Sequence, residues 1–356
     1  MPTNPSFTHT LLQWFEENKR PLPWRNIDDP YKIWVSEIIL QQTRVVQGMA
    51  FYTNFLQHFP TIQSLASAQE SEVLKVWQGL GYYSRARNMH TAAKYVVEQL
   101  AGIFPSDYYE IKKMKGVGDY TAAAIASIAF GLPYPAVDGN VLRFISRYYG
   151  IFDDISKSAT RHHIMNICNT LIDPESPGNF NQAMMEMGAL QCIPVHPNCD
   201  RCPFATTCYA NIHQQVEQLP IKGKHIITKQ RFFHYLIFTD NRCTILQKRV
   251  HNDIWKNLFE FPLVETTDDH FDFSQKLKEM NSSYFLTYQK IWEVKHQLTH
   301  QQILASFYLI RCSKLPQLTE NQEIVDLQKL TDYPVSKITA IAIEKIFKYG
   351  STIDFA

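Results

Sequence analysis

Four of the chain's seven cysteines fall between residues 192 and 208, as Cys192, Cys199, Cys202 and Cys208, with six, two and five residues between successive thiols. In a reducing compartment such a cluster, within an odd total, points to a bound metal rather than to disulfides. Soft thiolates so close in sequence can wrap a zinc ion or an iron–sulfur cluster. Many zinc sites pair two Cys-x-x-Cys knuckles. Only one close pair occurs here and the outer spacings are uneven, which favours a four-iron cluster. Cys168, Cys243 and Cys312 stand alone and read as buried apolar residues.

A chain of 356 residues, 45% of them hydrophobic, is globular and long enough for two or three domains with full cores. It has no run of about 18 apolar residues, which argues against a membrane span. Residues 1–20 lack a basic region followed by an apolar core, so no signal peptide is expected and the location reads as cytoplasmic, nucleoid-associated if the source is bacterial. A net charge of +1 means that binding to a polyanion must rest on local patches and backbone dipoles, and must be salt-sensitive.

Residues 114–140 read MKGVGDYTAAAIASIAFGLPYPAVDGN. The glycine turn Gly116-Val117-Gly118 opens through Asp119 and Tyr120 into an alanine-rich helical run. Backbone N–H groups exposed at such a turn suit a phosphate. A proline-rich exit then delivers Asp138 in the turn Val137-Asp138-Gly139-Asn140. Either the hairpin grips a nucleic-acid backbone on which Asp138 does chemistry, or the stretch is an ordinary helical corner followed by an Asp-Gly turn.

Upstream, residues 7–20 read as an amphipathic helix, and the loop Arg20-Pro21-Leu22-Pro23-Trp24-Arg25 is too proline-rich to continue it. A second helix from about Pro30 carries Glu37 inside an apolar run. That carboxylate is either on the solvent side, the commoner case for glutamate, or partly buried with a raised pKa that would make it a general acid. Beyond Gly79-Leu80-Gly81, the segment Tyr82–Asn88 interleaves aromatics with arginines. It suits either a phosphate backbone and a stacked base or a helix start with packed tyrosines and solvated arginines. From about Val216 to Gln230 the chain is polar and linker-like. After it the pattern becomes extended and β-branched, closing on a helix from Val335, so the second domain reads as α+β.

These features together resemble the helix–hairpin–helix DNA glycosylases that carry a four-iron–four-sulfur cluster, and within them the adenine DNA glycosylases of the MutY family. The resemblance runs over nearly the whole chain: the Leu-Pro-Trp-Arg loop, SEIILQQT, GLGYYSRARN, KGVGDYTAAAI, VDGNVLR, the cysteine array and the second domain. It implies a mainly α-helical glycosylase, a six-helix barrel plus an iron–sulfur cluster module, followed by an α+β Nudix-like C-terminal domain. The barrel module would span residues 25–135 and carry the helix–hairpin–helix. The cluster module would combine residues 1–24 with 136–215, a linker would cover 216–230, and the Nudix-like domain 231–350 would recognise 8-oxoguanine.

The substrate implied is double-stranded DNA in which adenine is mispaired with 8-oxoguanine or guanine. The protein would act as a monomer with no membrane partner, alongside replication or repair proteins. By resemblance Glu37 protonates adenine, Asp138 stabilises the sugar cation, and Tyr120 and Asn140 orient the carboxylate and the nucleotide. An acid on the base and a carboxylate under the sugar are the two charges that breaking this bond requires, much as in glycoside hydrolysis. Arg20, Leu22, Trp24 and Arg25 would line the adenine pocket, with Gln182 beside it. Gln42 and Tyr82 would enter the duplex, while Gly116, Val117 and Gly118 hold a phosphate. Thr299 and His300 would face the 8-oxoguanine strand, and Cys192, Cys199, Cys202 and Cys208 would bind one [4Fe-4S] cluster.

Bifunctional relatives carry lysine where this chain has Tyr120, so the resemblance implies a monofunctional enzyme that leaves an abasic site. The sequence departs from the family at Asp119, close to the expected phosphate. It departs again at Leu298-Thr299-His300, where Phe-Ser-His is usual, and at Gln182, where some relatives have glutamate. No Arg-Glu-x-x-x-Glu-Glu helix follows Phe259-Glu260-Phe261-Pro262, so the second domain reads as a recognition module rather than a pyrophosphatase. Two rivals are an enzyme of the same fold acting on damaged pyrimidines and a non-catalytic DNA-binding protein with a redox cluster. Tyr120 and the second domain argue against the first, and the pair of carboxylates against the second.

Overall fold

The structure is a computed structural model that describes residues 5–223, 228–268, 271–279 and 284–350; part of the expected linker lies outside these. The chain divides into two compact units, Met1–Ser67 with Asn88–Lys224, and Ala68–Arg87 with His225–Ala356. The segment Ala68–Arg87, expected with the barrel module, thus groups with the second unit. No helix among the described residues is long and apolar enough to cross a membrane.

The first unit is helical. It contains α1 (Pro5–Asn18), α2 (Pro30–Leu40), α3 (Val45–His58) and α4 (Ile62–Ser67). In the chain α5 (Glu70–Val76) follows and belongs to the second unit, and the boundary falls inside α6 (Ser84–Gln99). The first unit continues with α7 (Tyr108–Lys113), α8 (Asp119–Phe130), α9 (Gly139–Tyr149), α10 (Ser158–Leu171), α11 (Pro177–Glu186) and α12 (Tyr209–Ile212). A π-helical turn, Met187–Gln191, extends α11 and leads directly to Cys192.

Two helices fix the centre of this unit. Asp29 caps α2 by accepting from the backbone N–H groups of Tyr31 and Lys32, and Pro30 stands in the first turn, where its missing N–H costs nothing. Residues Ile33–Ile39 are all buried, so α2 has no solvent face along that stretch. In α8 the run Thr121–Ser127 is buried and mostly alanine; its small side chains let α2, α7 and α11 pack closely against it. Around a second core, Phe7, Leu11 and Phe15 of α1 pack with Phe144 and Ile145 of α9, Phe180 of α11 and Phe204.

The second unit is built on a seven-stranded sheet with core order β3-β2-β1-β6-β5. The strands are β1 (Lys229–Thr239), β2 (Cys243–Lys248), β3 (Phe259–Glu260), β4 (Leu263–Thr266), β5 (Phe285–Gln297), β6 (Gln301–Cys312) and β7 (Gln322–Asp326). Among the described strands β1 and β6 pair in parallel; β4 joins β1 and β7 joins β2, both antiparallel. Alternation along β1 sends Phe233, Tyr235 and Ile237 to the face covered by α14 (Lys337–Gly350), and Leu236 and Phe238 to the face where Phe273 of α13 (Phe273–Glu279) packs. Burial on both faces explains why β1 reads as a continuous apolar run. Beside it Arg231 ion-pairs with Asp253 and Glu265 at 2.7 Å each, and Arg249 ion-pairs with Asp253 and Glu260 at 2.8 Å each.

Candidate active site

A cavity of about 580 Å³ opens in the first unit between α2, α8, the start of α9, α11 and the loop after α1. Ten of the residues singled out in the sequence line it together: Arg20, Leu22, Trp24, Arg25, Glu37, Gln42, Tyr120, Asp138, Asn140 and Gln182.

Glu37 is only 6% exposed, contrary to what the usual surface preference of glutamate suggests. The reason is the apolar surround of α2, which leaves its one carboxylate no polar face to occupy. Burial, set against a hydrogen bond from Tyr120 and reinforced by the charge of Asp138, raises the Glu37 carboxyl from 4.5 to about 7. The Tyr120 hydroxyl stands 2.7 Å from Glu37 Oε2 and 3.0 Å from Met185 Sδ. Its single proton can serve one of them at a time. When Glu37 is ionised, Tyr120 donates to it. When Glu37 is neutral, the carboxyl can donate to the tyrosine oxygen, and the tyrosine proton turns to sulfur.

Asp138 is the N-cap of α9. Its Oδ1 accepts from the backbone N–H groups of Asn140 (2.9 Å) and Val141 (2.8 Å), and its Oδ2 from Asn140 Nδ2 (2.7 Å). Burial raises its pKa, and these three hydrogen bonds work in the opposite direction. The carboxylate is thus fixed in orientation by the start of a helix, whose dipole also favours negative charge there.

The structure adds residues that the sequence did not single out. Glu186, at the end of α11, is almost fully buried and accepts from Arg20 through its backbone N–H (3.0 Å), Nε (2.8 Å) and Nη2 (2.6 Å). Arg25 Nη2 lies 2.9 Å from the same carboxylate. Burial would raise the Glu186 pKa, but the hydrogen bonds and charges of the two arginines hold it below the ordinary carboxylate range. Arg143 donates through Nη2 to Asn140 Oδ1 (2.9 Å) and Gly188 O (2.6 Å), and through Nε to Cys192 O (2.8 Å). Gly188 lies so close to Asn140 that a Cβ there would stand 2.6 Å from Asn140 Cβ and 2.7 Å from its carbonyl oxygen. The available sequence signals were weak: Glu186 follows Gln182 by one helical turn, and Arg143 follows Asn140 by three residues.

Other predicted residues lie elsewhere. Gly116, at φ +82°, turns the chain between α7 and α8, and Gly118 caps α8 without a side-chain hydrogen bond, leaving first-turn N–H groups open. Val117 is buried under this turn. Asp119 pairs with Lys112 and accepts from the Tyr108 hydroxyl (3.0 Å), so its charge beside the hairpin is offset. In the second unit Tyr82, Thr299 and His300 line a separate cavity of about 590 Å³, and the Tyr82 and Thr299 hydroxyls are 2.5 Å apart.

Cys192, Cys199, Cys202 and Cys208 line one pocket with Arg147, Phe144, Phe204 and Val216. Arg147 Nη1 is 3.4 Å from Cys192 Sγ. Burial pushes the Cys202 thiol up to about 12, and Cys199 and Cys208 are also raised, first by burial and then by neighbouring thiols. Among the described residues no three His, Cys, Asp or Glu side chains are grouped tightly enough to hold a single ion.

Residues 35–170 match the family model described as HhH-GPD superfamily base excision DNA repair protein, and residues 234–345 match a NUDIX domain. The chain is similar to an adenine DNA glycosylase of Buchnera aphidicola subsp. Baizongia pistaciae, 34% identical over 322 residues, covering 90% of both chains. It is 45% identical over 222 residues to an adenine DNA glycosylase of Rattus norvegicus, which covers 60% of this chain and 43% of that one. Among solved structures, a thermostable thymine-DNA glycosylase superposes with a TM-score of 0.53 at 27% identity, over 58% of this chain and 96% of its own.

Proposed function

The chain belongs to the adenine DNA glycosylase family, and we propose that it removes adenine mispaired with 8-oxoguanine or guanine, leaving an abasic site in double-stranded DNA. The observation that carries this reading is the pairing, in one cavity, of a buried carboxyl raised to about 7 with a carboxylate clamped by three hydrogen bonds. An adenine flipped out of the duplex, at a cost of a few kcal/mol, enters against Leu22 and Trp24. Neutral Glu37 gives its proton to N7 as the C1′–N9 bond breaks and the bonding pair leaves with the base. Asp138 faces the sugar cation that remains; water then adds to C1′ and passes a proton to the Glu37 carboxylate, which restores the acid. Burial raises both carboxyl groups, but three hydrogen bonds oppose it at Asp138 against one at Glu37, which assigns Asp138 as the anion and Glu37 as the acid. Proton transfer contributes roughly 10²–10⁴-fold, so the oriented charge of Asp138 supplies much of the rest. Tyr120 adjusts the acid through its hydroxyl and has no amine with which to form a Schiff base.

Cys192, Cys199, Cys202 and Cys208 would hold one [4Fe-4S] cluster. Burial opposes ionisation of the Cys199, Cys202 and Cys208 thiols, which suits a multiply charged centre that would stabilise the thiolates and tie residues 192–208 to α9. The Gly116–Gly118 turn, with the open first-turn N–H groups of α8 that it leads into, would hold a backbone phosphate. Gln42 would enter the duplex from the cavity rim. In the second unit, Tyr82 would also enter the duplex, and Thr299 and His300 would face the 8-oxoguanine strand. We assign residues 1–24 and 136–215 to a cluster-bearing module, 25–135 to a barrel module and 231–350 to the recognition domain. The protein would work as a monomer beside replication or repair proteins, in the cytoplasm or nucleoid.

A single-turnover assay on duplexes with adenine opposite 8-oxoguanine, guanine or thymine tests the function. Release from the first two, with strand breaks only after alkali, is the expected result. Equal release opposite thymine defeats the mispair assignment, and an adduct trapped by borohydride at the catalytic rate defeats the monofunctional one.

A further inference from the structure

The loop between α1 and α2 forms one wall of the cavity through Leu22, Trp24 and Arg25, yet little of it is held by regular backbone pairing. Its prolines at 21 and 23 have no N–H to donate. The backbone hydrogen bonds recorded within it are Lys19 N–H to Phe15 O and Arg25 N–H to Leu22 O. What fastens it across the cavity is Glu186, which takes the Arg20 backbone N–H, two Arg20 side-chain donors and Arg25 Nη2.

Arg25 depends on this carboxylate more than Arg20 does. Its side chain is only 9% exposed, and its Nε and Nη1 are buried with no hydrogen-bond partner. Besides Glu186, its charge meets the Phe15 ring, 4.8 Å from Cζ to the centroid, and the like charge of Arg20, which opposes it. A guanidinium so placed stays inside only while a counter-charge holds it. Without that counter-charge it would turn to water and carry Trp24 with it.

We propose that Glu186 is a positioning residue for base excision: its ionised carboxylate holds Arg20 and Arg25, and through them sets the Leu22–Trp24 wall against the reacting groups. This rests on the function proposed above. Glu186 touches neither Glu37 nor Asp138 in any recorded hydrogen bond or ion pair, so its effect is on where the extruded base sits. Geometry of that kind governs the chemical step, and a misplacement of about 1 Å can cost on the order of 100-fold.

The test compares wild type, Glu186→Asp, Glu186→Gln and Glu186→Ala in the full chain, using a duplex with adenine opposite 8-oxoguanine. Active-site titration gives the active fraction, single turnover gives the excision rate constant, and a duplex with a non-cleavable adenine analogue gives Kd. The expected result is a rate constant about 10–100-fold lower for Glu186→Ala and Glu186→Gln, partly recovered in Glu186→Asp, with Kd within about threefold because phosphate contacts dominate it. Loss confined to the active fraction, with the rate constant kept, marks a merely structural role and overturns the proposal. So does a Glu186→Gln rate within twofold of wild type. If Glu186→Ala does not fold, the Glu186→Gln comparison decides alone. Wild type without adenine release refutes the function itself, a different outcome from equal release by wild type and variants.

Discussion

Replacing Glu37 by glutamine should make the protein more stable at alkaline pH while abolishing excision. The carboxyl has a pKa of about 7 in the fold against 4.5 as an ordinary glutamate, with burial the chief cause. The folded state therefore binds a proton that the unfolded chain has lost anywhere between those values. Stability then falls as pH rises through this window, by up to about 1.4 kcal/mol per pH unit. Above about pH 7 the full burden of the buried anion is present, about 3 kcal/mol; below about 4.5 it is absent. Glutamine keeps the shape and an acceptor for Tyr120 but never ionises. The variant should match wild type near pH 4.5 and exceed it by about 3 kcal/mol at pH 8, equivalent to roughly 6–12 °C for a unit of this size. Urea or thermal unfolding across pH 4.5–8 measures the gap. In parallel, single-turnover excision by wild type should fall about tenfold per unit above pH 7, as the acid loses its proton. A gap that does not vary with pH, or a variant less stable than wild type at pH 8, would refute the reasoning.

Asp138→Asn should lower the excision rate constant by at least roughly 10²–10³-fold, yet change stability by no more than about 1 kcal/mol, because asparagine caps a helix as well as aspartate; single-turnover kinetics and urea melts check both halves. Tyr120→Phe removes a hydrogen bond that holds the Glu37 pKa down, so the alkaline limb of the rate profile should move to higher pH, and a move the other way counts against the pairing. Cys202→Ser should lose the visible absorbance of thiolate-bound iron and lower the thermal midpoint of the helical unit, as iron analysis and calorimetry would register. Gly188→Ala should cost about 1–3 kcal/mol, since the added methyl meets the Asn140 backbone.

The sequence made the pieces of the site legible where a residue's chemistry is local. Asp138 before a helix start, Gly116 in a tight turn and four close thiols each announce themselves through neighbours a few positions away. The environment of Glu37 was less legible, because α2 alone does not reveal that α8 packs against it and sets the Tyr120 hydroxyl on the carboxyl. Glu186 was missed for a related reason: its partners Arg20 and Arg25 lie more than 160 positions earlier, and no local pattern links a helix end to a proline loop so far away. Gly188 looks like any helical glycine until the π-helical turn brings it against Asn140. Of the second unit's strands, β1, β2 and β6 show in the sequence as aromatic and β-branched runs, whereas the contact between Tyr82 and Thr299 joins residues 217 positions apart.

Those long separations have a consequence during synthesis. The apolar stripe of α1, with Phe7, Leu11 and Phe15, shares its core with residues such as Phe144, Phe180 and Phe204, and Arg20 waits for a carboxylate 166 positions later. At roughly 5–20 residues per second, the first helix leaves the ribosome about 10–30 s before the surface that covers it exists. For that interval it is an uncovered apolar segment on a nascent chain, too short to hold a helix by itself. A chaperone that covers the segment over that interval would limit aggregation of the nascent chain.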